Sequence, residues 1–394
     1  MSEPILVLNC GSSSIKFALF DPGLDPLPRV PMWSGRLEGI GSSSARLVAG
    51  GAPPVAVALD AQQPYASALQ RVRSCVEQRT RGLPPAAVAH RVVHGGSKYD
   101  APLRIDAAVL ADLREYVALA PLHQPYALQA IEVLQAELPG VPQVACFDTA
   151  FHRTLPQVEQ MLPLPHALWE RGIRRYGFHG LSYEYMAIAL AERHGDAARG
   201  RTIVAHLGSG ASLCAMHGLR SVATTMGFSA VDGLMMGTRC GSLDPGVLLH
   251  LMEVEGYDAR RLSQLLYHES GLLGVSGLSS SPQPLLAAEA TDARARAALE
   301  LYVRRVVREI GGLAAALGGL DMLAFTAGIG EHSAPLRERI CGALGWLGLQ
   351  VDDAANRADA ATISKPGSRV RVVVEPTNEE WVMASHALNL VHPA

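Results

Sequence analysis

Two strand–turn–strand segments set half a chain apart constrain this sequence more than any other feature. In the first, the apolar runs Ile5 to Leu8 and Ile15 to Phe20 flank Asn9-Cys10-Gly11-Ser12-Ser13-Ser14, which reads as two strands joined by a small polar turn. In the second, Thr202 to Leu207 is an apolar strand, Gly208-Ser209-Gly210-Ala211-Ser212 a tight turn of small residues, and Leu213 to Met216 the start of the return strand. Val7 matches Val204, Asn9 matches His206, Gly11 matches Gly208 and Ser12 matches Ser209, an offset of 197 residues in a chain of 394. So short a match leaves both chance likeness and internal duplication open. Duplication would mean two related folds, and at roughly 150 residues per domain this length predicts two to three domains.

Composition removes several classes of function. Lys and Arg total 34 against 37 Asp and Glu, a formal charge of −3, which argues against a polybasic binder of nucleic acid or membrane surface. Charged residues make up 18% and hydrophobic ones 48%, which excludes a disordered chain. The start, Met-Ser-Glu-Pro, has no basic region and no small-residue cleavage site, so no signal peptide is expected. The most apolar window, Ile310 to Ile329, is broken by Gly318, Gly319 and Asp321 and reads as a helix end followed by a strand. Six scattered cysteines without C-x-x-C pairs fit reduced thiols in a cytosol. A soluble, cytoplasmic protein follows as the expectation. Only Lys16, Lys98 and Lys365 break an otherwise all-arginine set of basic residues, a mild pointer to places where a compact ammonium is wanted.

Helical spacing is expected after Asp106, a candidate N-cap, through Leu110, Leu113 and Val117, and again over Tyr126 to Leu138. Val55 to Leu59 is a candidate short strand, and Val141 to Phe147 is a strand carrying Asp148 at its C-terminal end, where open α/β sheets place their chemistry. Asp292 to Leu317 is a long amphipathic helix, Met322 to Phe325 and Val370 to Val374 are strands, and Trp381 to Leu390 is a last helix.

The familiar nucleotide motifs are missing: no P-loop, no G-x-G-x-x-G and no H-E-x-x-H. Three Gly-rich turns remain at strand ends, around Gly11, Gly208 and Gly328; they are ordinary tight turns or, because small residues let backbone N–H groups approach an anion, a cradle for polyphosphate. Arg91 in His90-Arg91-Val92-Val93-His94-Gly95-Gly96 and Arg239 in Gly237-Thr238-Arg239-Cys240-Gly241 stand in apolar or glycine-rich settings. Each needs an anionic partner, either an internal carboxylate or a ligand. Among His90, His94, His123, His152, His179 and His206, a lone histidine is more simply a satisfied core residue, and His90 with His94 lacks metal-site geometry.

The strings VLNCGSSSIKF (7–17), HRVVHGG (90–96), APLHQP (120–125), FDTAFH (147–152), RRYGFHGLSY (174–183), HLGSGAS (206–212), TMGFSAVDGLMMGTRCGSLDPG (225–246), TAGIGE (326–331) and PTNEE (376–380) together resemble the acetate kinase family. They recur in order across nearly the whole chain. The resemblance implies an α/β fold of two related RNase H-like, actin-like ATPase domains, with nucleotide and Mg²⁺ in a cleft between them. It implies domain I at 1–148 plus 379–394 and domain II, the nucleotide-binding half, at 149–378.

The implied reaction is reversible transfer of the ATP γ-phosphoryl group to acetate, giving acetyl phosphate and ADP, with Mg²⁺ or alternatively Mn²⁺ as cofactor and a homodimer as the assembly. By the same resemblance Asn9 and Glu379 hold the metal, Asp148 orients the reaction centre, Arg91 and Arg239 clamp carboxylate and phosphoryl, and His179 donates to the phosphoryl oxygens. Ser12, Ser14 and Lys16 face phosphate, and His123 lies near the acyl phosphate. The acyl pocket is Val93, Leu122, Phe178 and Ala230, and the nucleotide side is His206, Leu207, Gly208, Ser209, Gly210, Ser281, Pro282, Gln283, Gly328, Ile329, Gly330 and Glu331. Three departures stand out. Ser209 replaces a usual Asn, Ser281-Pro282-Gln283 replaces an Asp-Phe-Arg that meets the nucleoside, and Ala230 replaces a Pro. The first two imply an altered nucleotide side; the third implies room for propionate or another short acyl group. A non-kinase ATPase of the actin or Hsp70 class is the remote alternative.

Overall fold

The computed structural model describes residues 3–121 and 123–391. It divides into two compact units, Met1–Ala150 with Asn378–Ala394, and Phe151–Thr377.

The first unit is built on an eight-stranded sheet: β1 (Ile5–Cys10), β2 (Ser14–Phe20), β3 (Trp33–Glu38), β4 (Arg46–Ala49), β5 (Val55–Ala56), β6 (Ala87–Val92), β7 (Leu103–Arg104) and β8 (Gln143–Phe147). Their order is β5-β4-β3-β2-β1-β6-β8-β7. β1 runs antiparallel to β2 and parallel to β6, which is parallel to β8. β1 and β8 are apolar along almost their whole length because helices cover both faces of a parallel sheet. On one face Leu6, Leu8 and Val88 pack with Ala68, Leu69 and Val72 of the helix Pro64–Thr80; Ala145, Phe147 and Val92 pack with Leu113, Leu128 and Ile131 in a second cluster. Asp106 does cap a helix, its Oδ1 accepting from Val109 N at 2.8 Å. The helix Glu379–Val391 returns to this unit and packs on β1 and β6. It is fastened by Trp381 Nε1, which donates to Leu27 O at 3.0 Å, and by Asn378 Nδ2, which donates to Arg29 O at 2.8 Å.

The second unit holds β9 (Arg201–Leu207), β10 (Ala211–His217), β11 (Arg220–Thr224), β12 (Met322–Thr326) and β13 (Arg371–Val374), in the order β11-β10-β9-β12-β13. This repeats β3-β2-β1-β6-β8 of the first unit in both order and direction. The 197-residue match is therefore a repeat of architecture and not of one hairpin alone. The repeat has one difference at the turn. Cys10 pairs with Ile15 and leaves four residues between them, whereas Leu207 pairs with Ala211 and leaves three, so the second hairpin is tighter.

The helix Ala293–Leu317 begins at Asp292, whose carboxylate accepts from Arg294 N and Ala295 N, and ends at Gly318 with φ 71°. Its buried stripe is Leu299, Tyr302, Val306, Ile310 and Leu313. The break before β12 is thus a helix cap, and among the described residues no helix is long and apolar enough to cross a membrane. Two local expectations change. The strand expected at Val55 to Leu59 is only Val55–Ala56, an exposed edge pair with nothing to bury. The third Gly-rich turn is instead the short helix Ala327–His332, entered through Ala327 at φ 64°. All six cysteines are free thiols.

Candidate active site

In the first unit, three neighbouring parallel strands deliver polar side chains at their C-terminal ends: Asn9 from β1, Arg91 from β6 and Asp148 just after β8. Arg91 Nε donates to Asp148 Oδ1 at 3.0 Å, Nη2 donates to Asp148 Oδ2, and Nη1 donates to Asn9 Oδ1 at 3.2 Å. The alternative left open for Arg91 is decided in part: an internal carboxylate binds it in a two-pronged fork. Asp148 is 1% exposed, but the Arg91 side chain keeps 20% exposure, so the guanidinium is not sealed away. Burial alone would weaken the arginine cation; the charges of Asp148 and Glu379 outweigh it and raise its pKa.

Glu379, the first residue of the last helix, shares this field. Burial and then the repulsion of Asp148 and Glu380 push its carboxyl above the ordinary range, against the pull of Arg91 and Lys16. Asn9, Asp148 and Glu379 are hard oxygen donors, of which Asn9 Oδ1 and both Asp148 oxygens accept from Arg91. Such a set suits a divalent cation that keeps several waters and takes only one or two carboxylates. Among the described residues no group of three or more His, Cys, Asp or Glu forms a full protein cage.

Around this centre, Lys16 lies opposite Asn9 in the β1–β2 register and is exposed, Ser12 is exposed, and Ser14 closes the turn by accepting from Gly11 N at 2.9 Å. Val93 is 5% exposed just past β6. His123 is half-buried at the start of the helix Gln124–Glu137, and Leu122 lies outside the described residues. Sequence reasoning missed Gln124: fully buried, its Oε1 accepts from His94 N at 3.1 Å and its Nε2 donates to His94 O at 3.0 Å, pinning the loop after β6. Of the core histidines, His152 is satisfied on both ring nitrogens, whereas buried His90 bonds through Nε2 and leaves Nδ1 without a hydrogen-bond partner among the described residues. His90 bonds Gln143 at 2.7 Å and His152 bonds Ser221 at 2.9 Å, and burial lowers both to about 4.

In the second unit the hairpin β9–β10 is the organising element. His179, at the N-cap of the helix Gly180–His194, has φ 60° and places Nδ1 2.9 Å from Ser212 Oγ on β10. Its ring stacks on His206 of β9, centroids 4.2 Å apart at 16°. Arg239 Nη1 donates to Ala230 O at 3.0 Å. Gly210 brings these groups together: a Cβ there would stand 3.3 Å from His179 Nε2 and 3.7 Å from Arg239 Nη1. Gly210→Ala is expected to lower kcat by about tenfold by pushing the His179 ring a few tenths of an ångström off position, while melting close to wild type. A kcat within about threefold of wild type would show that the spacing is not critical.

The remaining positions gather on the same hairpin. Gly237 N donates to Ser209 O at 3.3 Å, and Ser280 O lies 2.9 Å from where a Gly237 Cβ would stand, which brings the start of the Ser281-Pro282-Gln283 segment alongside. Gly208 would place a Cβ 3.6 Å from that of Ala327, so the short helix bearing Gly328, Ile329, Gly330 and Glu331 abuts the turn. Phe178 is 2% exposed, its carbonyl held by His152 at 3.0 Å. Missed entirely was Arg337, 1% exposed, whose Nη1 donates to Gly330 O and Glu331 O at 2.9 and 2.7 Å.

A family model described as "Acetokinase family" matches residues 4–385. An acetate kinase of Rhodopseudomonas palustris (strain ATCC BAA-98 / CGA009) is 48% identical over 99% of each chain, and one of Rhizobium meliloti is 46% identical over 99% of this chain and 98% of its own. Among solved structures, an acetate kinase of Porphyromonas gingivalis superposes with a TM-score of 0.88 at 36% identity over 99% of this chain and all of its own. A propionate kinase of Francisella tularensis subsp. tularensis SCHU S4 superposes with a TM-score of 0.90 at 33% identity, over 98% of this chain and all of its own.

Proposed function

Because this chain belongs to the acetokinase family, we propose that it catalyses reversible transfer of the ATP γ-phosphoryl group to acetate, giving acetyl phosphate and ADP. The observation that carries the reading is Arg91, forked onto a buried carboxylate at the ends of parallel strands yet partly exposed to a ligand. Acetate is already an anionic nucleophile at neutral pH, so no general base is needed. Catalysis then rests on positioning and on cations that meet the charge spread over the transferring group.

In this reading Arg91 and Arg239 bind the acetate carboxylate and the phosphoryl oxygens, and His179 donates to the latter. Asn9 and Glu379 would hold Mg²⁺, or Mn²⁺ in its place, with Asp148 orienting the reaction centre and its magnesium; when bound, that ion screens the phosphate charge. Ser12, Ser14 and Lys16 face phosphate, His123 the acyl phosphate, and Val93, Leu122, Phe178 and Ala230 the acyl group. His206 to Gly210, Ser281 to Gln283 and Gly328 to Glu331 serve the nucleotide, which makes 149–378 the nucleotide-binding domain and 1–148 with 379–394 its counterpart. By likeness to its family the protein is a cytoplasmic homodimer.

A second reading, propionate as a preferred acceptor, is favoured by Ala230, half-buried where the family usually has Pro and bonded through its carbonyl to Arg239. One buried methylene is worth about 0.8 kcal/mol, roughly fourfold in kcat/KM. A hydroxamate assay with acetate, propionate and butyrate, run with ATP, GTP and pyrophosphate, tests both pockets. Acyl phosphate from acetate and ATP is expected, with propionate within about fourfold of acetate. A clear loss from acetate to propionate rejects the wider pocket, and ATP hydrolysis without acyl phosphate overturns the kinase reading.

A further inference from the structure

Behind His179 runs a short chain of hydrogen bonds whose direction can be worked out by counting protons. His179 Nδ1 is 2.9 Å from Ser212 Oγ, and Ser212 Oγ is 2.5 Å from the Tyr183 hydroxyl. Ser212, on β10, and Tyr183, in the first turn of the helix Gly180–His194, are both fully buried. The Tyr183 hydroxyl has no other hydrogen-bond partner among the described residues, and burial holds it protonated by pushing its pKa well above the ordinary phenol range.

Two placements of the imidazole proton are chemically available. If Nδ1 carried it, three protons would share two hydrogen bonds: with Nδ1 donating to Ser212, either Ser212 donates to Tyr183 and the Tyr183 proton lacks an acceptor in the chain, or Tyr183 also donates to Ser212 and the Ser212 proton lacks one. A buried polar group left so costs about 1–3 kcal/mol. If instead Tyr183 donates to Ser212 and Ser212 donates to Nδ1, every proton in the chain is used. The imidazole proton then sits on Nε2.

We propose that Ser212, its hydroxyl aligned by Tyr183, is a positioning residue that holds His179 in the tautomer with its proton on Nε2. This rests on the reading of His179 as a donor to the transferring phosphoryl group. Only that tautomer lets a neutral imidazole offer an N–H there; the other turns a lone pair towards negative charge. The ring plane is held independently. It stacks on His206, whose own Nδ1 is 2.8 Å from Ser182 Oγ, and the His179 backbone occupies the left-handed region, uncommon for a residue with a Cβ and a recurrent feature of functional sites.

The test begins on the wild-type protein with ¹⁵N-labelled histidine. Long-range ¹H–¹⁵N correlation, with His179 assigned through His179→Gln, is expected to show Nε2 protonated and Nδ1 bare at neutral pH. A His179 protonated on Nδ1, alone or together with Nε2, overturns the proposal without any variant. Ser212→Ala is then expected to give mixed tautomers and a kcat lower by about tenfold or more, with KM for acetate and ATP little changed. Unchanged tautomer and kcat in Ser212→Ala would overturn it as well. The underlying reading fails separately: if His179→Ala costs less than about tenfold in kcat, His179 is not the donor, whatever its tautomer.

Discussion

Arg91→Ala is expected to lower turnover by about 10³-fold, and Arg239→Ala by a similar factor, the scale on which a single arginine stabilises charge in phosphoryl transfer. The reason is geometric as well as electrostatic. Arg91 bonds Asp148 through Nε and Nη2 and Asn9 through Nη1, so its removal leaves two polar groups without their partner and removes the cation proposed to meet the substrate. Asp148, 1% exposed, would then be a buried carboxylate without its ion pair, a loss of about 3–5 kcal/mol. Arg91→Lys separates the two effects: it keeps a charge near Asp148 but cannot reproduce the fork, so turnover should stay far below wild type while much of the stability returns. Hydroxamate kinetics beside thermal melts give both readings. A loss below about tenfold in both alanine variants would remove the arginines from the clamp.

Arg337→Met is expected to destabilise the second unit by about 2–4 kcal/mol, on the order of 10 °C in melting temperature. All five guanidinium N–H donors are engaged: Nη1 with Gly330 O and Glu331 O, Nε with Asn356 Oδ1 at 2.9 Å, and Nη2 with Asn356 O at 2.7 Å and with Asp359 Oδ1. Methionine fills part of the space around a side chain only 1% exposed but leaves the Gly330, Glu331 and Asn356 oxygens without their donor, whereas Asp359, 41% exposed, can turn to water. Gly330 and Glu331 belong to the short helix Ala327–His332, so nucleotide KM should rise together with the loss of stability. A melting temperature within about 3 °C of wild type would show that the network is dispensable.

Much of the fold was legible because it depends on local pattern. Buried parallel strands read as apolar runs, Asp106 and Asp292 stand where helices begin, Gly318 stands where one ends, and the hairpin at Gly11 recurs at Gly208. Where the local pattern was weak the reading slipped. Gly328 to Glu331 carries glycines like a turn, yet it is a helix because Arg337, from further along the chain, ties down its last carbonyls. Val55 to Leu59 is expected to be a strand throughout, but the ladder stops at Ala56; beyond it Val57 N still donates to Ala45 O, and Val57 and Leu59 pack on the core without regular pairing.

The candidate site divides in the same way. Sequence by itself determined the residue types, the family and the repeated strand–turn–strand unit, since these lie in contiguous strings. Only the tertiary structure decided that Arg91 forks onto Asp148 and that Ser212 and Tyr183 stand behind His179. A charged or polar side chain states a demand for a partner, but strand order sets which partner meets it. That order comes from burying apolar faces over long sequence separations, which no local spacing records.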